Sequence, residues 1–243
     1  MSEERFEGKL ARWAKDHDAS KEHPAVPAAT VILLRDGGAG LETLMLKRDS
    51  KLAFAGGMWV FPGGRVDPED YPPEAPDDVD LASRRAAVRE AREEAGLVVD
   101  EASLVRLSHW TPPPQTPKRF STWFFLAPAP EGAVVIDDGE IRDHMWVAPG
   151  EALARRDALE IELAPPTWVT LHTLAAACSV DAALEATRQS EPEHFTTRAA
   201  VTDEGIVVMW HGDAGYESGD ATAEGPRHRL WMVEGPWRYE RWT

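Results

Sequence analysis

Positive charge is scarce in this sequence. Its 26 Lys and Arg are outnumbered by 42 Asp and Glu, leaving a formal net charge of −16. That balance argues against a polymeric nucleic-acid partner, whose phosphates need a basic surface. It leaves room for a small phosphorylated ligand, because bound cations supply positive charge locally. Cysteine is almost missing too. Cys178 stands alone, so no intramolecular disulfide can form, and its expected role is that of a buried structural thiol. Nor is there an apolar run of about 18 residues, the length that reads as a membrane-spanning helix. The first residues, Met1-Ser2-Glu3-Glu4-Arg5, are charged and lead into no apolar signal segment. The expectation is a soluble, cytoplasmic protein with no membrane partner.

What the chain does have is enough apolar residues for a core and one dense acidic motif. Apolar residues fill 43% of 243 positions, close to the globular average, which suits one elaborated domain or a domain plus an extension. The motif runs Arg89-Glu90-Ala91-Arg92-Glu93-Glu94-Ala95-Gly96-Leu97. As a helix, it places Glu90, Glu93 and Glu94 within one arc of about 100°. Leu81, Val88, Ala91 and Ala95 fall opposite and are expected to bury, with the acids facing a cleft. Three carboxylates this close repel one another, each pair costing about a few tenths of a kcal/mol. A bound hard cation reverses that sign, since Mg2+ takes carboxylate and phosphate oxygens. Arg89 stands beside the arc, where it can pair with one carboxylate. Gly96 suits the left-handed residue that ends a helix. Upstream, Met58-Trp59-Val60-Phe61 leads into Gly63-Gly64, expected as a turn that lets backbone approach a ligand closely. Taken alone, the acidic helix also reads as an ordinary solvated face. Joined to the glycine pair, it reads as a site.

Together these stretches resemble the Nudix hydrolase signature, G-x5-E-x7-R-E-U-x-E-E-x-G-U, in which U is apolar. Arg89 to Leu97 matches its second half in full. The first half departs from it. Counting six from Gly64 reaches Asp70 rather than Glu, and Arg89 comes 11 residues late. Counting back from Arg89 puts Leu81 at the Glu position. Between lies Tyr71 to Asp78, a loop by its prolines and acids.

In chain order, residues 3–16 suggest an amphipathic helix through Phe6, Leu10 and Trp13. Ala28 to Leu34 and Glu42 to Lys47 read as strands around a glycine-rich hairpin, Asp36 to Gly40. Trp59 to Phe61, Ser103 to Trp110, Ser121 to Ala127 and Asp143 to Val147 read as further strands, and Pro149 to Arg155 as a short helix. The mix of strands around a central helix predicts an α+β fold. The resemblance implies the Nudix α/β/α sandwich with a mixed sheet over residues 27–163, after an N-terminal extension over 1–26. Beyond it, Pro165 to Ala177 and Val180 to Gln189 read as helices, and residues 196–242 as strands. Trp210, Trp231, Trp237 and Trp242 there are expected in a core. No repeat and no independent motif occurs in this part. Residues 164–243 are thus expected to be a C-terminal α/β extension that packs on the core or forms a homodimer interface.

The resemblance implies hydrolysis of a nucleoside diphosphate linked to another moiety, a small-molecule nucleotide substrate. Glu90, Glu93 and Glu94 would hold Mg2+ or Mn2+, with the Gly63 carbonyl as a further ligand. The metal would polarise phosphoryl oxygens and lower the pKa of a bound water. Arg89 belongs to the same catalytic set. Glu140, in Gly139 to Trp146, is the candidate for the further acid that many members carry outside the box, as ligand or general base; Asp143 is its competitor, and a plain turn residue is the alternative. Leu44 to Arg48, Ala53 to Gly64, Ala86 to Gly96 and Lys118 to Phe125 are similar to the peroxisomal coenzyme A diphosphatase branch, across about residues 28 to 177. In the better-known coenzyme A pattern, L-L-T-x-R and an Arg precede G-x-x-x-F-P-G-G. Gly57 to Gly64 fits the last part, while Leu46 replaces the Thr and Ala53 the Arg. Arg48, Lys118 and Arg119 are candidate phosphate contacts, because Arg grips phosphate with two bonds; solvated cations are the alternative. ADP-ribose, a dinucleoside polyphosphate or a nucleoside triphosphate are alternative substrates. A non-catalytic nucleotide-binding regulator on the same fold is the alternative from another class.

Overall fold

A computed structural model describes residue 8 and residues 24–243, except 39, 53, 54, 115 and 138. The helix expected over residues 3–16 and the position of Ala53 lie outside the described residues. The chain divides into two compact units. One comprises Val26–His109 and Phe120–Glu193; the other comprises Trp110–Arg119 and His194–Thr243 with residues 24 and 25.

The first unit is built on a mixed sheet. β1 (Val26–Gly37) and β2 (Gly40–Arg48) form the expected hairpin, with Gly37 opposite Gly40. β1 also pairs in parallel with β6 (Phe120–Pro128) and antiparallel with the short β4 (Gly63–Arg65). β3 (Trp59–Val60) and β7 (Ile141–Val147) both pair antiparallel with β2, and β5 (Val105–Thr111) neighbours β6. Ala28 to Leu34 is nearly all apolar because β1 is buried on both faces. On one of them Ala29, Val31 and Leu33 join Leu44, Leu46, Phe125 and Ala127 against the central helix α1 (Val79–Ala95).

α1 starts where Asp78 accepts the Leu81 N–H at 2.9 Å and stops at Gly96, whose φ is +68°. Its buried residues are Ala82, Ser83, Ala86, Ala87, Ala91, Glu94 and Ala95. The buried face is therefore rotated from the expected one. Leu81 and Val88 are only half-buried, and Glu94 is turned inward. The alanines explain it: small side chains let the helix axis approach the sheet, which larger residues would hold off. The glycine pair also differs from expectation. Gly63 and Gly64 lie in strand β4, not in a turn. Their missing side chains matter for space. A Cβ on Gly63 would stand 2.5 Å from the Ala29 carbonyl oxygen, and one on Gly64 would stand 2.5 Å from Glu90 Cδ.

Three shorter helices follow in this unit: α2 (Pro149–Asp157), α3 (Pro165–Leu174) and α4 (Val180–Arg188). Each of the first two opens on proline, whose fixed φ suits a first helical position. Cys178 is exposed, contrary to the expected buried thiol, because it sits in the link just before the α4 N-cap Ser179. Among the described residues no helix is long and apolar enough to cross a membrane.

After β8 (Glu193–Thr196), β9 (Arg198–Thr202), β10 (Gly205–Met209), β11 (Arg227–Val233) and β12 (Arg238–Trp242) of the second unit form an antiparallel sheet in the order β12-β11-β10-β9. Trp110 and Phe195 stack at 3.8 Å, with the buried Trp210 edge-on to both. Trp237 is buried and Trp231 half-buried, as a core role requires, but Trp242 is exposed at the chain's last strand. The long loop before β11 is pinned from inside. Asp213 accepts Arg229 Nη2 at 2.6 Å and Nε at 2.7 Å, and the N–H groups of Gly215 and His228 at 2.8 and 2.9 Å. Burial alone would raise the Asp213 carboxyl, but Arg229 and these N–H donors hold it below its usual range. Asp213→Ala leaves the Arg229 charge buried and unpaired, which should cost about 3–5 kcal/mol. Urea unfolding followed by tryptophan fluorescence checks this, and a loss below about 1 kcal/mol contradicts it.

Candidate active site

The site forms where α1 passes over β4 and the end of β2. Arg89 is its hub. Its Nε and Nη2 donate to the two oxygens of Asp70 at 3.1 and 2.9 Å, a two-bond fork. Nη1 donates to Glu90 and to Glu93, each at 2.9 Å, and Nη2 to the Arg65 carbonyl at 2.9 Å. The Asp70 hydrogen bonds lead the causes that hold this guanidinium firmly in its charged form. Asp70 is only 5% exposed and also accepts the Asp67 N–H at 2.8 Å, in a capping box that opens the turn Pro68–Asp70. Counting six from Gly64 therefore lands on the residue that meets Arg89, while Leu81, reached by counting back, does not. The loop at Tyr71 to Asp78 lets the chain run outward and return without disturbing that pair.

Glu94 is the buried member, 6% exposed. It accepts the Gly63 N–H at 3.0 Å and Arg48 Nη1 at 3.3 Å. Arg48 Nη2 also reaches Glu140 at 2.6 Å. Glu140, 56% exposed on its side chain, is held at the foot of β7: its N–H donates to Asp137, and its carbonyl accepts the Asp49 N–H at 2.7 Å. Asp143 lies further along β7, opposite Lys47, and accepts the His144 N–H at 2.8 Å. Glu93 points outward, 58% exposed on its side chain. Thus Arg89, Glu90, Glu93, Glu94, Gly63, Arg48 and Glu140 are brought together. Lys118 and Arg119 belong to the other unit, where Arg119 donates to the Pro112 carbonyl at 3.4 Å.

Electrostatically the site is overcharged. Burial pushes the Glu94 carboxyl up to about 8; the Gly63 N–H and Arg48 oppose this, while the charges of Glu90 and Glu140 add to it. Burial also raises Glu90, against the pull of Arg89. Beside the carboxylates, Lys47, Arg48, Asp49, Ser50, Gly57, Arg142 and Asp143 line a cavity of about 340 Å³. Among the described residues no three His, Cys, Asp or Glu side chains converge as a metal-holding group. Guanidinium groups stand between the carboxylates instead. The donor set still fits a hard divalent cation. It is all oxygen, and Glu90, Glu94 and Glu140 act on one another's charge.

The NUDIX domain family matches residues 24–167. The chain belongs to the Nudix family, and it is a pyrophosphohydrolase acting on nucleoside diphosphate derivatives. A NUDIX hydrolase from Alicyclobacillus acidocaldarius is similar at 26% identity and a TM-score of 0.56, covering 68% of this chain and 97% of that one. The NUDIX domain of Shewanella oneidensis NrtR, solved with ADP ribose, matches at 17% identity and a TM-score of 0.46, over 67% and 94% of the two chains. A C. elegans Ap4A hydrolase matches at 22% identity and a TM-score of 0.41, over 63% and 96%. No curated protein matches the chain. Nudix hydrolases generally use divalent metals.

The raised Glu94 carboxyl has a consequence for stability. Its proton is held more tightly in the folded protein, at about 8, than at its ordinary value of 4.5. Metal-free protein should thus lose stability as pH rises across that window. Glu94→Gln keeps an acceptor for the Gly63 N–H and removes the charge. It should raise the melting temperature in EDTA, with a gain that grows from near zero at about pH 5 to the order of a few kcal/mol at about pH 8. An equal gain at both pH values contradicts this.

Proposed function

We propose that this pyrophosphohydrolase is a Mg2+- or Mn2+-dependent diphosphatase of coenzyme A or an acyl-coenzyme A, releasing 3′,5′-ADP and a 4′-phosphopantetheine product. The observation that carries the metal dependence is the buried Glu94 carboxyl group, with Glu90 and Glu140 in its field and only the Gly63 N–H and Arg48 to oppose them. Glu90, Glu93, Glu94 and Glu140 would hold the ion, with the Gly63 carbonyl as a further ligand. When bound, the ion supplies charge neutralisation at the phosphoryl oxygens and acidifies a bound water.

The chain's own residues have three tasks. Arg89, clamped by Asp70, fixes the rotamers of Glu90 and Glu93. Gly64 lets β4 lie against Glu90 of α1, Gly63 lets it lie against Ala29 and Thr30 of β1, and the Gly63 N–H orients Glu94. Glu140 sits on an exposed loop tip, where an acid can accept a proton from water as substrate arrives. The substrate class is supported by Gly57 to Gly64, by the segment Leu44 to Arg48 and by the cavity beside the carboxylates, where Lys47, Arg48 and Arg142 stand with Asp49 and Asp143. Such a cavity suits a substrate that carries phosphate beyond the scissile anhydride.

A panel of coenzyme A, acyl-coenzyme A, ADP-ribose, dinucleoside polyphosphates and nucleoside triphosphates tests the substrate. Expected is the highest kcat/KM on a coenzyme A species and no turnover in excess EDTA. A clearly higher kcat/KM on any other class overturns the substrate, and undiminished hydrolysis in EDTA overturns the metal. A second expectation separates the two candidate acids, Glu140 before β7 and Asp143 within it. Glu140→Gln should lower kcat at least about tenfold, roughly 1.4 kcal/mol, with little change in melting temperature. Asp143→Asn should do much less; the reverse ranking moves the role to Asp143.

A further inference from the structure

We propose that Arg48 is a placeholder cation, displaced from Glu94 and Glu140 by a divalent ion and released toward the adjoining cavity as a phosphate ligand. The inference rests on the metal reading above and adds a coupling between metal and substrate that passes through one side chain.

The geometry is unusual for a structural ion pair. One guanidinium at the end of β2 bridges a buried and an exposed carboxylate, Glu94 at 3.3 Å and Glu140 at 2.6 Å. It sets one guanidinium between two carboxyl groups. Its Nε is buried with no hydrogen-bond partner among the described residues, so the bridge leaves part of the group unsatisfied. The same side chain lines the cavity of about 340 Å³. Within that cavity Asp49 is already engaged, since it pairs with Arg142 and accepts the Lys51 N–H at 3.0 Å. Lys47 makes no ion pair with a described residue. A released Arg48 therefore stands beside Lys47 at the wall of a cavity in which Asp49 is paired with Arg142 and Asp143 lies opposite Lys47.

The exchange follows from what each cation prefers. A hard divalent ion brings twice the charge to Glu94 and Glu140 and favours carboxylate oxygens. A guanidinium is less tightly hydrated and matches phosphate with a planar fork. With the ion bound, Arg48 loses its reason to stay; with phosphate in the cavity, it gains a reason to leave. Each ligand then raises the affinity for the other.

Mn2+ binding to substrate-free protein, followed by electron paramagnetic resonance, tests the first half. Arg48→Met should bind Mn2+ at least about threefold more tightly than wild type, because a competing charge is gone. Arg48→Lys keeps a cation and should stay within about twofold of wild type. Calorimetry with α,β-methylene ADP tests the second half. Arg48→Met should change its affinity little without cation, and weaken it at least about fivefold in saturating Mn2+. Arg48→Gln replaces Arg48→Met if the latter does not melt cooperatively. Weaker Mn2+ binding in the variant overturns the proposal, because Arg48 would then be holding the carboxylates in place. So does an equal loss of nucleotide affinity with and without Mn2+. Wild-type protein that binds no Mn2+ removes the metal reading and this inference together. The expected shifts found alongside a failed coenzyme A panel support the inference and remove only the substrate.

Discussion

Crowded carboxylates are the constraint on which this site depends. Asp70, Glu90, Glu93, Glu94 and Glu140 gather around two guanidinium groups, and two of the five, Asp70 and Glu94, are buried. Like charges at this spacing are tolerable only where cations stand between them. Arg89 meets that need from within the helix, and Arg48 meets it from the neighbouring strand. Much of the surrounding structure follows. The alanine face of α1 brings the helix close to the sheet. Gly64 leaves the room in which the Glu90 carboxylate lies, and Gly63 offers its N–H to Glu94.

The same crowding links stability to chemistry. A buried carboxylate opposed by its neighbours weakens the metal-free fold as it ionises, yet it is the feature that makes a hard cation welcome. A site arranged this way does not rest in its most stable form. It stores an electrostatic cost that the proposed divalent ion and phosphate would relieve together. Functional sites commonly carry such local cost, supported by rigid elements around them. Here those elements are the β1–β2 hairpin, the parallel β1–β6 pair and the long helix α1.

The second unit solves a different problem. Its buried Asp213 is fully matched by Arg229 and two backbone N–H groups, so its charge pins a long loop without leaving a need unmet. A satisfied buried pair is a structural device, and an unsatisfied one invites a ligand. That contrast within one chain separates Asp213 from Glu94, although both are buried acids with an arginine beside them.

The sequence by itself determined the family, the acidic helix with its Gly96 stop, the β1–β2 hairpin and, to within two residues, most of the strands it names before residue 150. These are local matters of period, capping and turn chemistry, written in neighbouring residues. It also carried Arg89 and the acids at their helical spacing. Only the tertiary structure decided which acid is buried. Helix period places Glu90, Glu93 and Glu94 on one arc, but the sheet's position against the alanines turned Glu94 inward and left Glu93 outside. Only the tertiary structure paired Asp70 with Arg89 across the loop, since chain distance says nothing about where a loop returns. It alone exposed Cys178 and Trp242, whose burial depends on what packs over them. It alone set Arg48 between Glu94 and Glu140, residues 46 and 92 positions away in the chain. Contacts of that range have no signature in composition or period, because they are fixed by the way the sheet and helix close on one another.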